Sequence, residues 1–428
     1  MKFKLTTWIL IAMLAGIGVG WMCHELLPTP ESAKTVAGYI SLFTDVFLRL
    51  IKMIIAPLVF ATLVVGIAHM GDSKALGRIG LKTMGWFISA SLMSLVVGMI
   101  LVNILRPGDA LNLPLPDAGA STNLKTASLS LKEFVTHLVP KSVFEALSNN
   151  EILQIVIFSV FFGAAAASFG DKASVVIDWV EQVSHVMLKV TAYVMALAPI
   201  AVFAAMASIV TTQGLGILWT YGKFMGEFYL GILILWGLLA LAGFLFLGPR
   251  ISRLISLIKE PIMLAFSTAS SEAAYPKTLE QLERFGASKK ITSFVLPLGY
   301  SFNLDGSMMY CTFATLFIAQ AYKIDLDLGQ QITMLLIPMV TSKGMAGVPR
   351  ASLVVIAATL ATFNIPEAGL LLIMGIDQFL DMGRSATNVV GNSIATAVVA
   401  KWEGELRPEA EAQAEIDADE SETAAAPA

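Results

Sequence analysis

The stretch G375-I-D-Q-F-L-D-M-G-R-S-A-T-N-V-V-G-N-S-I-A-T-A-V-V-A-K401 reads as one helix, largely apolar, that nevertheless carries two acids, a guanidinium and two amides. At about 100° per residue, Asp381 lies at about 40° from Asp377, Arg384 at about −20°, Asn388 at about 20° and Asn392 at about 60°. All five share one narrow stripe. An Asp381–Arg384 pair gluing a helix bundle is the plain reading. Buried ion pairs stabilise weakly, and ionisable residues inside a membrane mark a functional path. Two acids, one base and two amides on one stripe suit a charged solute and a cation.

The rest of the chain agrees with a membrane setting. It has 428 residues, 56% hydrophobic and 14% charged, where a soluble protein carries roughly 25% charged residues. Mean hydropathy is +0.74. Apolar stretches at about 7–27, 38–68, 83–105, 150–169, 184–212 and 217–248 reach or exceed the ~18–20 residues that cross a bilayer. The fold class expected is an all-α polytopic membrane protein. The N-terminal stretch lacks a clear A-x-A cleavage site and reads as a retained first helix. Residues 107–148 read as a polar loop with short helices. The net charge of −4 owes much to the last Ala/Glu-rich residues, which read as a disordered, solvated tail. Cys23 and Cys311 suggest neither a disulfide framework nor a zinc site, and nothing is basic enough for nucleic acid. From a cytoplasmic N-terminus, the loops with Lys74, Arg78 and Lys82, with Lys172, and with Arg250, Arg253 and Lys259 all fall inside, as the positive-inside rule requires.

Two C-terminal segments are broken. Residues 262–286 contain A265-F-S-T-A-S-S-E-A-A-Y-P276, and residues 331–363 contain T341-S-K-G-M-A-G-V-P-R-A-S352. Unwound backbone at membrane depth is tolerated only where protein or a water-filled cavity satisfies it, and such breaks point to a transporter's binding site. S301-F-N-L-D-G-S-M-M-Y310 adds a buried acid, Asp305, which reads either as a cation-binding carboxylate or as a structural acid bonded to backbone amides. No H-E-x-x-H or G-x-S-x-G motif is present, and the four histidines lie far in sequence from the stripe, so an intramembrane enzyme is disfavoured. A passive anion channel is the third class; a site with an acceptor for an amino group argues against it.

With these motifs in one order, the chain resembles the glutamate transporter family, the dicarboxylate/amino acid:cation symporters, and within it the bacterial proton/glutamate-aspartate symporters. The likeness covers about residues 5–406. It rests on I51-K-M-I-I-A-P-L-V-F, S270-S-E-A-A-Y-P, N303-L-D-G-S in place of the family's N-M-D-G-T, A346-G-V-P, and D381-M-G-R-S-A-T-N-V-V-G-N. The resemblance implies a homotrimer in the bacterial inner membrane, both termini cytoplasmic, with eight transmembrane helices, two re-entrant hairpins and elevator movement. Residues 1–70 would supply scaffold helices 1 and 2, and 71–106 helix 3 of the transport domain. Residues 107–215 would be an extracellular loop and scaffold helices 4 and 5. Residues 216–406 would complete the transport domain, and 407–428 would form the tail.

The resemblance also assigns roles. Arg384 would clamp a side-chain carboxylate, for which a guanidinium fork is suited. Asp381 would receive an amino group, and it favours an acidic amino acid (glutamate or aspartate) over a C4-dicarboxylate such as succinate, the alternative substrate. Asn388 and the backbone around Ser270 and Ser271 would hold the α-carboxylate. Ser307 and Ser385, where the family commonly has threonine, would keep hydroxyls beside the ligand, and Val348 and Pro349 would cap it. No organic cofactor is implied; the coupling ion would be a proton, sodium or both.

For one cation site, Gly299, Asn303 and Asn388 are retained, but Asn392 replaces the family's carboxylate. For another, Phe87, Ala90 and Ser91 stand where a Tyr and a Thr-Ser pair are usual, so two oxygen-bearing side chains are missing. Asp305 is then expected to carry a proton, because a neutral carboxyl is far less costly to bury than an unpaired charge. A third site, with Ser301 and the backbone of Ser342 to Met345, keeps sodium open. Cys311 stands where mammalian relatives have a proton-carrying Glu. Arg350, often Gly in the family, would face either the substrate's approach or water, and the latter reading is preferred.

Overall fold

The computed structural model describes residues 5–27, 29–68, 73–109, 136, 139–215, 221–341, 351–409 and 411–412. The helices are α1 (Leu5–Leu26), α2 (Pro30–Ala68), α3 (Ser73–Leu105), α4 (Val143–Ser148), α5 (Ile152–Phe169), α6 (Ser174–Met195), α7 (Ala198–Gln213) and α8 (Gly222–Leu247). They continue as α9 (Arg250–Leu257), α10 (Lys259–Thr268), α11 (Tyr275–Phe285), α12 (Lys289–Phe302), α13 (Asp305–Ala321), α14 (Leu328–Thr341), α15 (Ala351–Thr362), α16 (Leu371–Met374) and α17 (Asp377–Trp402). The described chain is helical apart from turns and a single β-bridge, Ala287 with Leu406.

Among the described residues, five helices are long and apolar enough to cross a membrane, or six if α6 and α7, bent by 49°, count as one span. Eight were expected, and the shortfall has a physical cause. The segment around N303-L-D-G is split into α12 and α13, and α17 is loaded with polar residues. Neither is one continuous apolar helix. α2 has 39 residues, or roughly 58 Å at 1.5 Å per residue. That exceeds the ~30 Å hydrocarbon core, so α2 must tilt or project beyond it.

Two groups of helices pack internally. α1, α2, α5, α6 and α7 form one; α17 is enclosed by α8, α10, α12 and α13, with α3 against α13. Gly16 and Gly20 let α1 approach α7: a Cβ at either position would sit 2.5 Å from Phe203 O or 2.6 Å from Ala207 O. Small residues four apart are a common means of close helix packing in membranes. The groups meet along α2 and α12.

The segment after α17 departs from the expected tail boundary. Arg407 N donates to Gly286 O at 2.9 Å and Ser288 N to Glu405 O at 3.0 Å. Arg250 Nη2 reaches Arg407 O at 2.9 Å, Arg253 Nη1 reaches Glu409 O at 3.0 Å, and Ala412 is fully buried. Residues 407–409 and 411–412 therefore dock on the protein, which corrects a tail that begins at 407; the remainder of the tail lies outside the described residues.

Candidate functional site

α17 begins on an acidic turn and becomes apolar toward its C-terminal half. Asp377 lies in that turn, where an N-terminal helix dipole favours an acid, and Lys401 lies in the last. Arg384 is 1% exposed and sits between two carboxylates. Its Nη2 lies 2.9 Å and its Nε 3.2 Å from Asp381 Oδ1, and its Nη1 lies 3.2 Å from Asp377 Oδ1. Tyr310 packs under the guanidinium, whose Cζ is 4.1 Å from the ring centroid, a cation–π geometry. The Tyr310 hydroxyl donates to Asp377 Oδ1 at 3.2 Å. Arg384 Nη1 makes no hydrogen bond of its own.

The two acids differ in access. Asp377 is 2% exposed and Asp381 is 30% exposed. Asp381, Arg384, Ser385 and Asn388 open on a cavity of about 460 Å³. Ser270 and Ser271, at the break between α10 and α11, and Ser307 line the same cavity. Ala269 adopts the left-handed conformation at the break, with φ 49°. Its N–H and that of Ser270 are already bonded, the latter to Ala265 O at 3.1 Å. This narrows the expected backbone anion site, because the Ser270 amide is committed. Val348 and Pro349, expected to cap the ligand, lie outside the described residues, as does Arg350.

The break between α12 and α13 leaves helix-start N–H groups to satisfy. Asn388 Oδ1 accepts from Gly306 N at 2.9 Å, and Asn388 Nδ2 donates to Ser307 Oγ at 3.4 Å. One amide from α17 therefore caps α13 and orients the serine of the cavity wall. Behind it lies a second, fully buried cluster. Asn303 Nδ2 donates to Asp305 Oδ2 at 3.0 Å and to Asn392 Oδ1 at 3.1 Å. Ser94 Oγ is 3.3 Å from Asp305 Oδ1. Gly391 makes room for that carboxylate, since a Cβ there would overlap Asp305 Oδ2, and a Cβ at Gly299 would overlap Asn392 Oδ1.

The cluster tests the expected cation ligands. Ser91 Oγ points to Phe302 O at 3.5 Å, and the helix-3 hydroxyl beside Asp305 is that of Ser94. Phe87 and Ala90 are buried and offer no oxygen side chain. Ser301 Oγ and Asn303 Oδ1 are buried without a hydrogen-bond partner, and such oxygens suit a hard cation. Asn392 Nδ2, also unpartnered, is a donor and does not. Ser342 and Met345 lie outside the described residues. Among the described residues, no group of three His, Cys, Asp or Glu side chains could hold a metal.

The polar stripe, the broken α12–α13 segment and the break at Ala269 converge on one cavity within an all-helical bundle, and comparison with known proteins agrees. The model of the sodium:dicarboxylate symporter family matches residues 5–402. The chain belongs to that family. It is 41% identical over 414 residues to the proton/sodium-glutamate symport protein of Bacillus caldotenax, covering 95% of this chain and 96% of that one. It is 38% identical over 418 residues to the protein of the same name from Bacillus subtilis (strain 168), covering 95% and 94%. It is 40% identical over 403 residues to the C4-dicarboxylate transport protein of Laribacter hongkongensis, covering 93% and 89%. As a member of the sodium:dicarboxylate symporter family, this multi-pass membrane protein is a transporter and not an enzyme.

Residues that sequence reasoning left outside the site are Tyr310, Ser94, Glu272, Gln378 and the α2 residues Ser41, Asp45 and Lys52, of which all but the first two line the cavity. Asp377 was placed on the stripe without a role; it is the buried counter-charge of Arg384.

Proposed function

We propose that this symporter imports acidic amino acids, L-glutamate or L-aspartate, across a bacterial inner membrane, coupled to protons or sodium. The carrying observation is the unequal exposure of the Asp381–Arg384 pair. Without substrate the two charges neutralise each other. An acidic amino acid replaces that pair on both sides: its side-chain carboxylate takes Arg384 and its ammonium takes Asp381. A C4-dicarboxylate replaces only one side. It leaves Asp381 without a cation and brings a like charge toward it, and like charges repel strongly in a site of low dielectric. Asn388, Ser307, Ser385 and the tip at Ser270 and Ser271 supply the polar groups for the second carboxylate. The dicarboxylate reading is the alternative, favoured by the name of the Laribacter relative.

Coupling centres on Asp305, the one carboxylate of the buried cluster, with Asn303, Asn392, Ser94, Ser91, Gly299 and Ser301 around it. Transport proceeds by an elevator movement. α1, α2, α5, α6 and α7 act as a trimeric scaffold. α3, α8, α12, α13 and α17, with two re-entrant hairpins at α10–α11 and α14–α15, act as the moving body. Both termini are cytoplasmic.

The test is uptake of labelled L-aspartate into proteoliposomes, with an inward sodium gradient and an inward proton gradient imposed separately. Accumulation driven by either gradient supports symport of an acidic amino acid. Equilibration with no gradient dependence would overturn it. An Asp305→Asn variant that still accumulates aspartate removes Asp305 from coupling.

A further inference from the structure

The cavity has a second wall. The helix α2 contributes Ser41, Asp45, Leu48 and Lys52 to its lining, spaced 4, 3 and 4 residues apart, which is one stripe of a helix. From Val46 to the end of α2 at Ala68, the ionisable residues are Arg49 and Lys52 alone. A lysine in an otherwise apolar span is costly and calls for a function. Lys52 is half-buried, and no ion pair or hydrogen bond to it forms among the described residues.

Charge decides what it does. The described cavity walls hold three acids, Asp45, Glu272 and Asp381, against two bases, Lys52 and Arg384, and Arg384 is held by Asp377 from behind as well. The walls are therefore net negative, and the proposed substrate is itself a net anion. Arg384 is already neutralised by its two carboxylates. Lys52 is the one lining cation, among the described residues, whose charge is not.

We propose that Lys52 is a substrate-positioning residue: its ammonium attracts and orients the net-anionic substrate in the cavity that Arg384 also lines. This rests on the reading of the cavity as a site for a carboxylate-bearing substrate. Because Lys52 belongs to α2 and Arg384 to α17, its influence depends on how the two groups of helices are placed. The interaction is long-range and screened by salt. It acts on affinity and leaves the translocation steps largely alone.

The test compares wild type, Lys52→Gln and Lys52→Arg in proteoliposomes, measuring KM and Vmax for labelled L-aspartate and for labelled succinate at two salt concentrations. For whichever anion the wild type transports, Lys52→Gln is expected to raise KM roughly tenfold, the scale of one unit charge about 10 Å away at an effective dielectric near 20. Vmax should stay within about twofold, Lys52→Arg should restore most of the affinity, and added salt should narrow the gap. A matching thermal midpoint for the variants excludes misfolding. Unchanged KM in Lys52→Gln, or a rise that Lys52→Arg does not repair and salt does not alter, overturns the proposal. A wild type that transports neither anion defeats the functional reading itself, and the role of Lys52 with it.

Discussion

Arg384 is held by Asp377, whose Oδ1 lies 3.2 Å from Nη1, and both side chains are at most 2% exposed. Asp377 does not line the cavity, so its work is to hold the guanidinium that does. Asp377→Asn keeps the shape and removes the charge. Breaking a buried pair typically costs roughly 3–5 kcal/mol. Here the expected loss is about 2–3 kcal/mol, because Asp381 still faces Arg384. Thermal unfolding and aspartate KM are the measurements, and both should worsen.

Tyr310 joins the same unit in two ways, through its ring and through its hydroxyl. Tyr310→Phe removes one hydrogen bond and keeps the ring, an expected cost of about 1 kcal/mol. Tyr310→Leu also removes the cation–π contact, for about 1 kcal/mol more at a desolvated site. Equal losses in the two variants would show that the ring contributes nothing.

Gly391→Ala is expected to abolish transport with little loss of expression. The added methyl meets the Asp305 carboxylate and must displace it from Asn303 and Ser94. Overpacking a tight core typically costs about 1–3 kcal/mol. Wild-type uptake in this variant would mean that the Asp305 cluster tolerates rearrangement and is not the coupling site.

The polar stripe of α17 was legible because every member lies on one helix, where spacing fixes direction. Contacts between helices were not. Ser91 and Ser94 lie three residues apart on the same face of α3, and only the axial placement of α3 against α13 makes Ser94 the neighbour of Asp305. Lys52 stands in an apolar stretch of α2, but the cavity it lines exists only once α2 meets the α10–α11 break. The tail shows the same limit. Glu403, Glu405 and Glu409 read locally as a solvated acidic run, yet they face Arg78 and Lys82, Lys290, and Arg253. Those partners lie more than a hundred residues away.

That docking gives an expectation for pH. The hydrogen bond from Arg78, at 2.7 Å, and contact with Lys82 hold the Glu403 carboxyl below its usual range. A depressed carboxyl contributes stability that is full above the unfolded pKa, about 4.3 for Glu. That contribution fades as pH falls through the lower folded value. The effect is small because Arg78 is 56% exposed and screened by solvent. The thermal midpoint of Glu403→Gln should lie below that of wild type at pH 7, and the two should converge as pH drops below about 4. A gap that persists at low pH would assign the difference to packing.

Truncation separates the docked part of the C-terminus from the rest. A chain ending at Ala412 should match wild type in thermal midpoint and uptake. One ending at Trp402 loses the Glu403 contacts to Arg78 and Lys82 and those to Lys290 and the Gly286–Ser288 turn, and should melt lower. Equal midpoints for the two truncations would show that the docked segment contributes no stability.

In the proposed function, Asp381 selects a substrate carrying an ammonium. Its direct test is competition of unlabelled succinate against labelled L-aspartate uptake, in wild type and in Asp381→Ser. Succinate should compete poorly in wild type, and Asp381→Ser should lose aspartate uptake while gaining sensitivity to succinate. Succinate competing as well as aspartate in wild type would contradict it and make this chain a C4-dicarboxylate carrier.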